Sequence, residues 1–166
     1  MTLAEAAAAA DALAQAGSER ELADLRAQWG DEVEAAARSQ DFRERAVAFR
    51  AIGQFRWRAK EELLRRGLDD ESPACRGSAL LSLELLSRDH PSTINGVRAL
   101  LHTLATADGN AAVRRLAILC LKNGSAERNT IVLLEGLAAD DEADAELRRA
   151  AGNVAQHLKK KQTKKS

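Results

Sequence analysis

Tyrosine is absent from this chain, and phenylalanine and tryptophan together make up only 3% of it. That scarcity argues against a β-sandwich or barrel, whose strands draw on aromatic and β-branched residues. The core must be leucine, alanine, isoleucine and valine, which suits closely packed helices. Two prolines and ten glycines are few interruptions for 166 residues, so long helices with short punctuation are expected. The two cysteines, Cys75 and Cys120, each lie inside an apolar helical run and read as small core residues rather than a disulfide or a reactive thiol. No apolar run approaches the roughly 18 residues of a membrane span.

Chemistry is missing as well. His90, His102 and His157 are far apart, and none sits near a cysteine at metal-ligand spacing. The carboxylates of Asp140–Glu146 alternate as in a calcium loop. Ala145 stands where that loop needs glycine, however, and Ala151 where it needs glutamate. No glycine-rich phosphate loop follows a strand, and no serine has the G-x-S-x-G setting. We therefore expect no catalytic residue, no metal site and no cofactor, and a protein that is not an enzyme.

The formal charge is zero, with 25 basic and 25 acidic residues, but it is unevenly spread. Residues 159–165 hold five lysines and no acid, leaving 20 bases against 25 acids in the rest. An acidic body is a poor polyanion binder overall. The opening MTLAEAAAAADALAQAG contains Glu5 and Asp11 and no basic lead, so it reads as an alanine-rich helix rather than a secretory signal. The expected compartment is the cytoplasm, with no membrane partner.

What the chain does contain is a period. In the apolar stretch Asn110–Lys122, Val113-Arg114-Arg115-Leu116-Ala117 has looser copies at Phe42–Ala46, Cys75–Ala79 and Leu147–Ala151. Arginine is followed three places later by alanine at Arg43, Arg76, Arg114 and Arg148, at intervals of 33, 38 and 34 residues. A repeat of that length is the mark of a helical solenoid.

Start and stop signals divide the chain. Thr2-x-x-Glu5 and Ser18-x-x-Glu21 are capping boxes, and Gly17 is a helix stop between them. The second helix is expected to pause at Trp29-Gly30 and resume to Arg38. Asp41 caps a helix over about 42–55, with Phe42, Ala46, Phe49 and Ile52 or Gly53 as its buried edge. A short helix over Arg58–Arg66 closes at Gly67. Ser72-Pro73 starts one that runs to about Ser87, and Pro91-Ser92 starts another. Asp108-Gly109-Asn110 leads into the central helix, expected to be buried nearly all round, and Gly124-Ser125 ends it and starts the next. Asp144–Leu158 is the last helix, fraying into the lysine tail.

Paired, these elements resemble the HEAT-repeat family and, more loosely, its armadillo relatives, over about residues 39–158. In that family an apolar-Arg-x-x-Ala signature opens the second helix of each hairpin, after an acidic or asparagine cap. Asp41, Asn110 and Asp144 stand where that cap belongs, and Ser72-Pro73 replaces it in the second unit. The resemblance implies an all-α, right-handed α–α superhelix, a HEAT-like solenoid of about three helical hairpins. Residues 1–38 would form an N-terminal helical cap, 39–158 the repeats, and 159–166 a disordered lysine-rich tail.

Solenoids work through surface. Aligning the four signatures on Ala46, Ala79, Ala117 and Ala151 makes the positions two before and five after face outward. Those are Glu44 and Ala51, Gly77 and Glu84, Arg115 and Lys122, Arg149 and Gln156. Arg115, Lys122, Arg149, Gln156 and Glu84 are the candidate contacts to another protein, in a non-catalytic scaffold or adaptor. The alternative is nucleic-acid binding through Arg43–Arg66 and the lysine tail. That window has seven arginines and one lysine against three glutamates, interleaved with Phe49, Phe55 and Trp57. Arg50, Arg56, Trp57, Arg58 and Lys60 would grip phosphates and stack on bases. The competing expectation is that the aromatics are core and the arginines pair with nearby acids.

Overall fold

The computed structural model describes residues 1–164. Among the described residues there are ten α-helices, one 3-10 turn at Arg58–Lys60 and no strand. The chain divides into two compact units, Met1–Leu86 and Ser87–Ser166.

The first unit contains α1 (Leu3–Gln15), α2 (Glu19–Ala37), α3 (Phe42–Gln54), α4 (Glu61–Leu68) and α5 (Pro73–Ser87). Both halves of the Thr2–Glu5 capping box are made, and Gly17 takes the left-handed conformation that stops α1, with φ +73°. Ser18 makes no side-chain cap bond, contrary to expectation. Nor does α2 pause at Trp29-Gly30. Trp29 is buried, and Gly30 leaves room for the Trp57 ring, which a Cβ there would approach to 3.3 Å. Close packing thus outweighs the usual cost of a glycine inside a helix, about 1 kcal/mol.

Both α1 and α2 pack against α3 as well as against each other, so residues 1–38 share a unit with the first signature helix. Contact on two sides widens and turns the buried face of α3. Ala48, Phe49, Ala51, Ile52 and Phe55 are buried, whereas Phe42 is 48% exposed and Ala46 only half-buried. Ala51, expected to face outward, is therefore interior.

Glycine sets the closest helix contacts of this unit. A Cβ on Gly53 would lie 2.5 Å from the Ser82 Cα, and the Gly53 N–H donates to the buried Ser82 hydroxyl at 2.9 Å. Gly67 lies inside α4 rather than closing it at Arg66. A Cβ there would come within 2.9 Å of the Ala79 Cβ, so glycine lets α4 approach α5.

The second unit contains α6 (Ser92–Asn95), α7 (Arg98–Ala107), α8 (Ala111–Leu121), α9 (Arg128–Ala138) and α10 (Ala145–Lys164). The single helix expected after Pro91 breaks between α6 and α7. There the Asn95 side-chain oxygen accepts from the Ser125 N–H and its amide donates to the Ser125 hydroxyl. These bonds hold Ser125 in the turn, so α9 starts three residues later than expected. Asn110 caps α8 by accepting from the Val113 N–H, and Asp144 accepts from the Leu147 N–H.

The all-round burial expected for the central helix is not found. Val113, Ala117, Ile118, Cys120 and Leu121 are buried, Leu116 is half-buried and Leu119 is 42% exposed. Helix α8 packs on α7 and α10, which leaves one strip uncovered. The expected disordered tail is also corrected as far as Lys164, because α10 continues to that residue. Leu158 is buried, Lys159 pairs with Glu135, and the Lys161 ammonium donates to the carbonyls of Lys122 and Gly124. Lys165 and Ser166 lie outside the described residues.

Three signature arginines reach back toward the preceding helix. The Arg76 guanidinium donates to the Asp70 carbonyl just beyond α4, and that of Arg114 to the Ala105 carbonyl of α7. Arg148 lies 3.6 Å from the Asp141 carboxylate in the turn after α9. Arg76 and Arg114 thus place a cation at the negative end of the preceding helix, where carbonyls lack helical partners, whereas Arg148 meets a carboxylate beyond α9. Arg43 departs from the pattern and pairs with its own cap, Asp41. Ala79, Ala117 and Ala151 are fully buried beside these arginines.

Candidate functional site

The uncovered strip of α8 faces α10 across an open groove of about 500 Å³. Arg115, Leu119 and Lys122 line one side, at spacings of four and three residues, which puts them on one helical face. Glu146, Arg149, Ala150, Asn153, Val154 and His157 line the other. Arg115 pairs with Glu146, and Lys161 reaches the carbonyl of Lys122, so the two helices run parallel. Leu119, Ala150 and Val154 supply apolar surface to the groove. Among the described residues, Lys122 and Arg149 make no ion pair.

His157 stands at the end of the groove where Lys122 lies. Partial burial, followed by the charges of Lys161, Lys122, Lys160 and Lys164, holds its pKa below the ordinary value of 6.5. Its imidazole is therefore neutral at pH 7, and the groove's cations are Arg115, Lys122 and Arg149.

The structure thus brings together three of the five expected partner contacts. Gln156 falls elsewhere, beside Glu135 and Lys159 between α9 and α10. The groove follows Arg149, Asn153 and His157, and Gln156, next to His157, is turned about 100° around α10 to the other side. Glu84 belongs to the first unit and is half-buried.

The nucleic-acid candidates are largely engaged within the first unit. Arg56 donates to the Asp11 carboxylate at 2.7 Å and to the carbonyls of Gly53 and Gln54. Its backbone is left-handed, with φ 52°, in the place after α3 where glycine is usual. Lys60 pairs with Glu34 at 2.7 Å and lies 4.6 Å from the Trp57 ring centroid. The Lys60 hydrogen bond is the main cause that holds the Glu34 carboxyl below its usual range. Trp57 also packs on Phe55, with ring centroids 5.4 Å apart. Arg58 lies 3.5 Å from Glu61. Arg50 has its Nη1 atom buried without a hydrogen-bond partner, and burial pulls its pKa down.

Sequence reasoning missed a second groove, of about 740 Å³, in the first unit. Leu3, Ala4, Ala35, Ala36 and Val47 give it apolar walls, with Glu32, Arg43 and Glu44 at its rim. The exposed Val47 was the available signal, hidden in a helix whose register the alanine alignment had turned. No group of three or more potential metal ligands occurs among the described residues, and no described helix is long and apolar enough to cross a membrane. No protein-family model and no curated protein sequence matches the chain.

Proposed function

We propose that the protein is a HEAT-like helical-repeat module, a right-handed α–α solenoid of about three hairpins behind an N-terminal helical region. It acts without catalysis, as a scaffold or adaptor that binds another protein. The repeat reading is supported by the signature arginines Arg76 and Arg114 at the ends of preceding helices, and by Arg148 reaching the turn after α9. The buried cysteines Cys75 and Cys120, neither in a disulfide, fit a reducing cytoplasm.

The observation that carries the binding role is the α8–α10 groove, where three cations flank apolar surface in an otherwise acidic body. Nucleic-acid binding through Arg43–Arg66 is the weaker reading, because Arg45, Arg56, Arg58 and Lys60 already have acidic partners. The test is affinity capture from host extract with the parent protein and with Lys122→Glu/Arg149→Glu, alongside a salt series on polynucleotide binding. Proteins retained by the parent and lost by the variant are the expected result. Steeply salt-dependent polynucleotide binding that survives the double variant and fails in Arg50→Glu/Arg58→Glu would replace this function with the nucleic-acid one.

A further inference from the structure

We infer that the α8–α10 groove receives an acidic amphipathic segment of a partner protein, with an apolar side chain against Leu119 and carboxylates on Arg149 and Lys122. This rests on the reading of the protein as a partner-binding module and names what the partner presents.

Charge complementarity selects the occupant. Arg149 and Lys122 sit on opposite walls of the groove and make no ion pair among the described residues. One turn before Lys122, Leu119 is 42% exposed, a large apolar side chain open to solvent in the last turn of α8. Arg115 and Lys122 are seven residues apart, about 10 Å along α8, or nearly two helical turns. A segment that spaces its acids over two turns and puts an apolar residue between them matches that pattern. A single-stranded nucleic acid is less suited, because no Phe, Tyr or Trp lines the groove and the half-buried His157 is the one ring among its lining residues.

The groove already holds one carboxylate of its own chain. Glu146 reaches from α10 to Arg115 across the groove, and its side chain remains 62% exposed. An ion pair so open to water contributes little. A partner's carboxylate can therefore take the place of Glu146 on Arg115, while Glu146 turns to solvent. Glu146 acts as an internal competitor, and its removal should leave Arg115 free for the partner.

Fluorescence anisotropy on the full chain tests this with three labelled probes. One is a synthetic peptide with glutamate and leucine at helical spacing, one its glutamine-for-glutamate analogue, and one a single-stranded oligodeoxynucleotide. The glutamate peptide should bind at least about tenfold more tightly than the glutamine peptide, and Lys122→Glu/Arg149→Glu should remove about tenfold or more of its affinity. Glu146→Gln should tighten it by about threefold, as expected for release from an exposed pair. Helical signal unchanged in all variants keeps these readings free of unfolding.

No binding of the glutamate peptide overturns the inference, as does equal binding by parent and double variant. Preference for the oligonucleotide, lost in the double variant, also overturns it. An unchanged affinity in Glu146→Gln removes the exchange at Arg115. If host proteins are still captured while the glutamate peptide fails, the partner-binding reading stands and only the acidic segment falls. If no host protein is retained, the broader reading fails first.

Discussion

The arginine-rich window of the first unit and the groove of the second both concentrate cations, yet they use them differently. In the window, Arg45 grips Asp70 through two hydrogen bonds of 2.9 and 3.1 Å, and both side chains are nearly buried. Arg56 and Lys60 similarly tie α1 and α2 to the end of α3. In the groove, Arg149 and Lys122 project without partners among the described residues. Helix contacts differ in the same sense. Helices α3 and α5 meet without a gap at Gly53 and Ser82, whereas α8 and α10 stand apart at Leu119. The density of charge along a sequence therefore does not locate a binding surface. What matters is whether acids of neighbouring helices arrive opposite the cations.

The sharpest way to break this contrast is at the sealed contact. Gly53→Ala places a Cβ against the Ser82 backbone, which cannot move aside as a flexible side chain would. A loss of about 3 kcal/mol or more is expected in chemical denaturation, at the upper end of overpacking effects. A melt equal to the parent's would mean that the α3–α5 contact is looser than the geometry requires.

Adjacent residues of α8 give the next largest difference. Ile118 is fully buried and Leu119 faces the groove. Ile118→Ala should cost about 3 kcal/mol. Leu119→Ala should cost less than about 1 kcal/mol, since little of its surface leaves contact with the core. Comparable losses in both variants would place Leu119 in the core and remove the apolar centre of the proposed site.

Asp70→Ala tests whether the window's cations are structural. It leaves Arg45 without its acid and the Ser72 N–H without its acceptor, at an expected cost of about 3 kcal/mol. Burial alone would raise the Asp70 carboxyl. The hydrogen bonds from Arg45 and Ser72 and the charge of Arg45 outweigh it and leave the pKa below 3.8. The stabilisation is thus complete above the unfolded value and is lost as pH falls through the lower folded value. Acid titration of the parent and of Asp70→Ala should therefore converge at the lowest pH. Parallel curves would deny Asp70 this role.

Much of this was legible because caps and register are local. Thr2, Asp41, Asn110 and Asp144 cap helices as their sequence context requires, and the Arg-x-x-Ala spacing puts Arg115, Lys122 and Arg149, though not Gln156, along one groove. The misread residues depend on distant partners. Ala51 is buried, and Phe42 exposed, because α1 and α2 both pack on α3. Gly30 and Gly67 resemble helix stops until Trp57 and Ala79 are seen against them. The lysines beyond Leu158 look like a frayed end until Glu135 and the C-terminal carbonyls of α8 come within reach.

The smallest expected effect on stability belongs to the pair that decides the comparison. Lys122 and Arg149 are exposed, and neither forms an ion pair among the described residues. Reversing both should change unfolding stability by less than about 0.5 kcal/mol, as for surface substitutions that remove no specific contact. The sign should favour the variant slightly at low salt. Lys122 adds to the positive surroundings that depress His157, and introduced glutamates would reduce like-charge repulsion there. The small gain should vanish as salt rises, since exposed charges are screened within about 10 Å at 0.1 M. Denaturation of the double variant at low and high salt checks this directly. A marked loss of stability would mean that these cations hold the fold together, as Arg45 does, and the groove would no longer differ from the window.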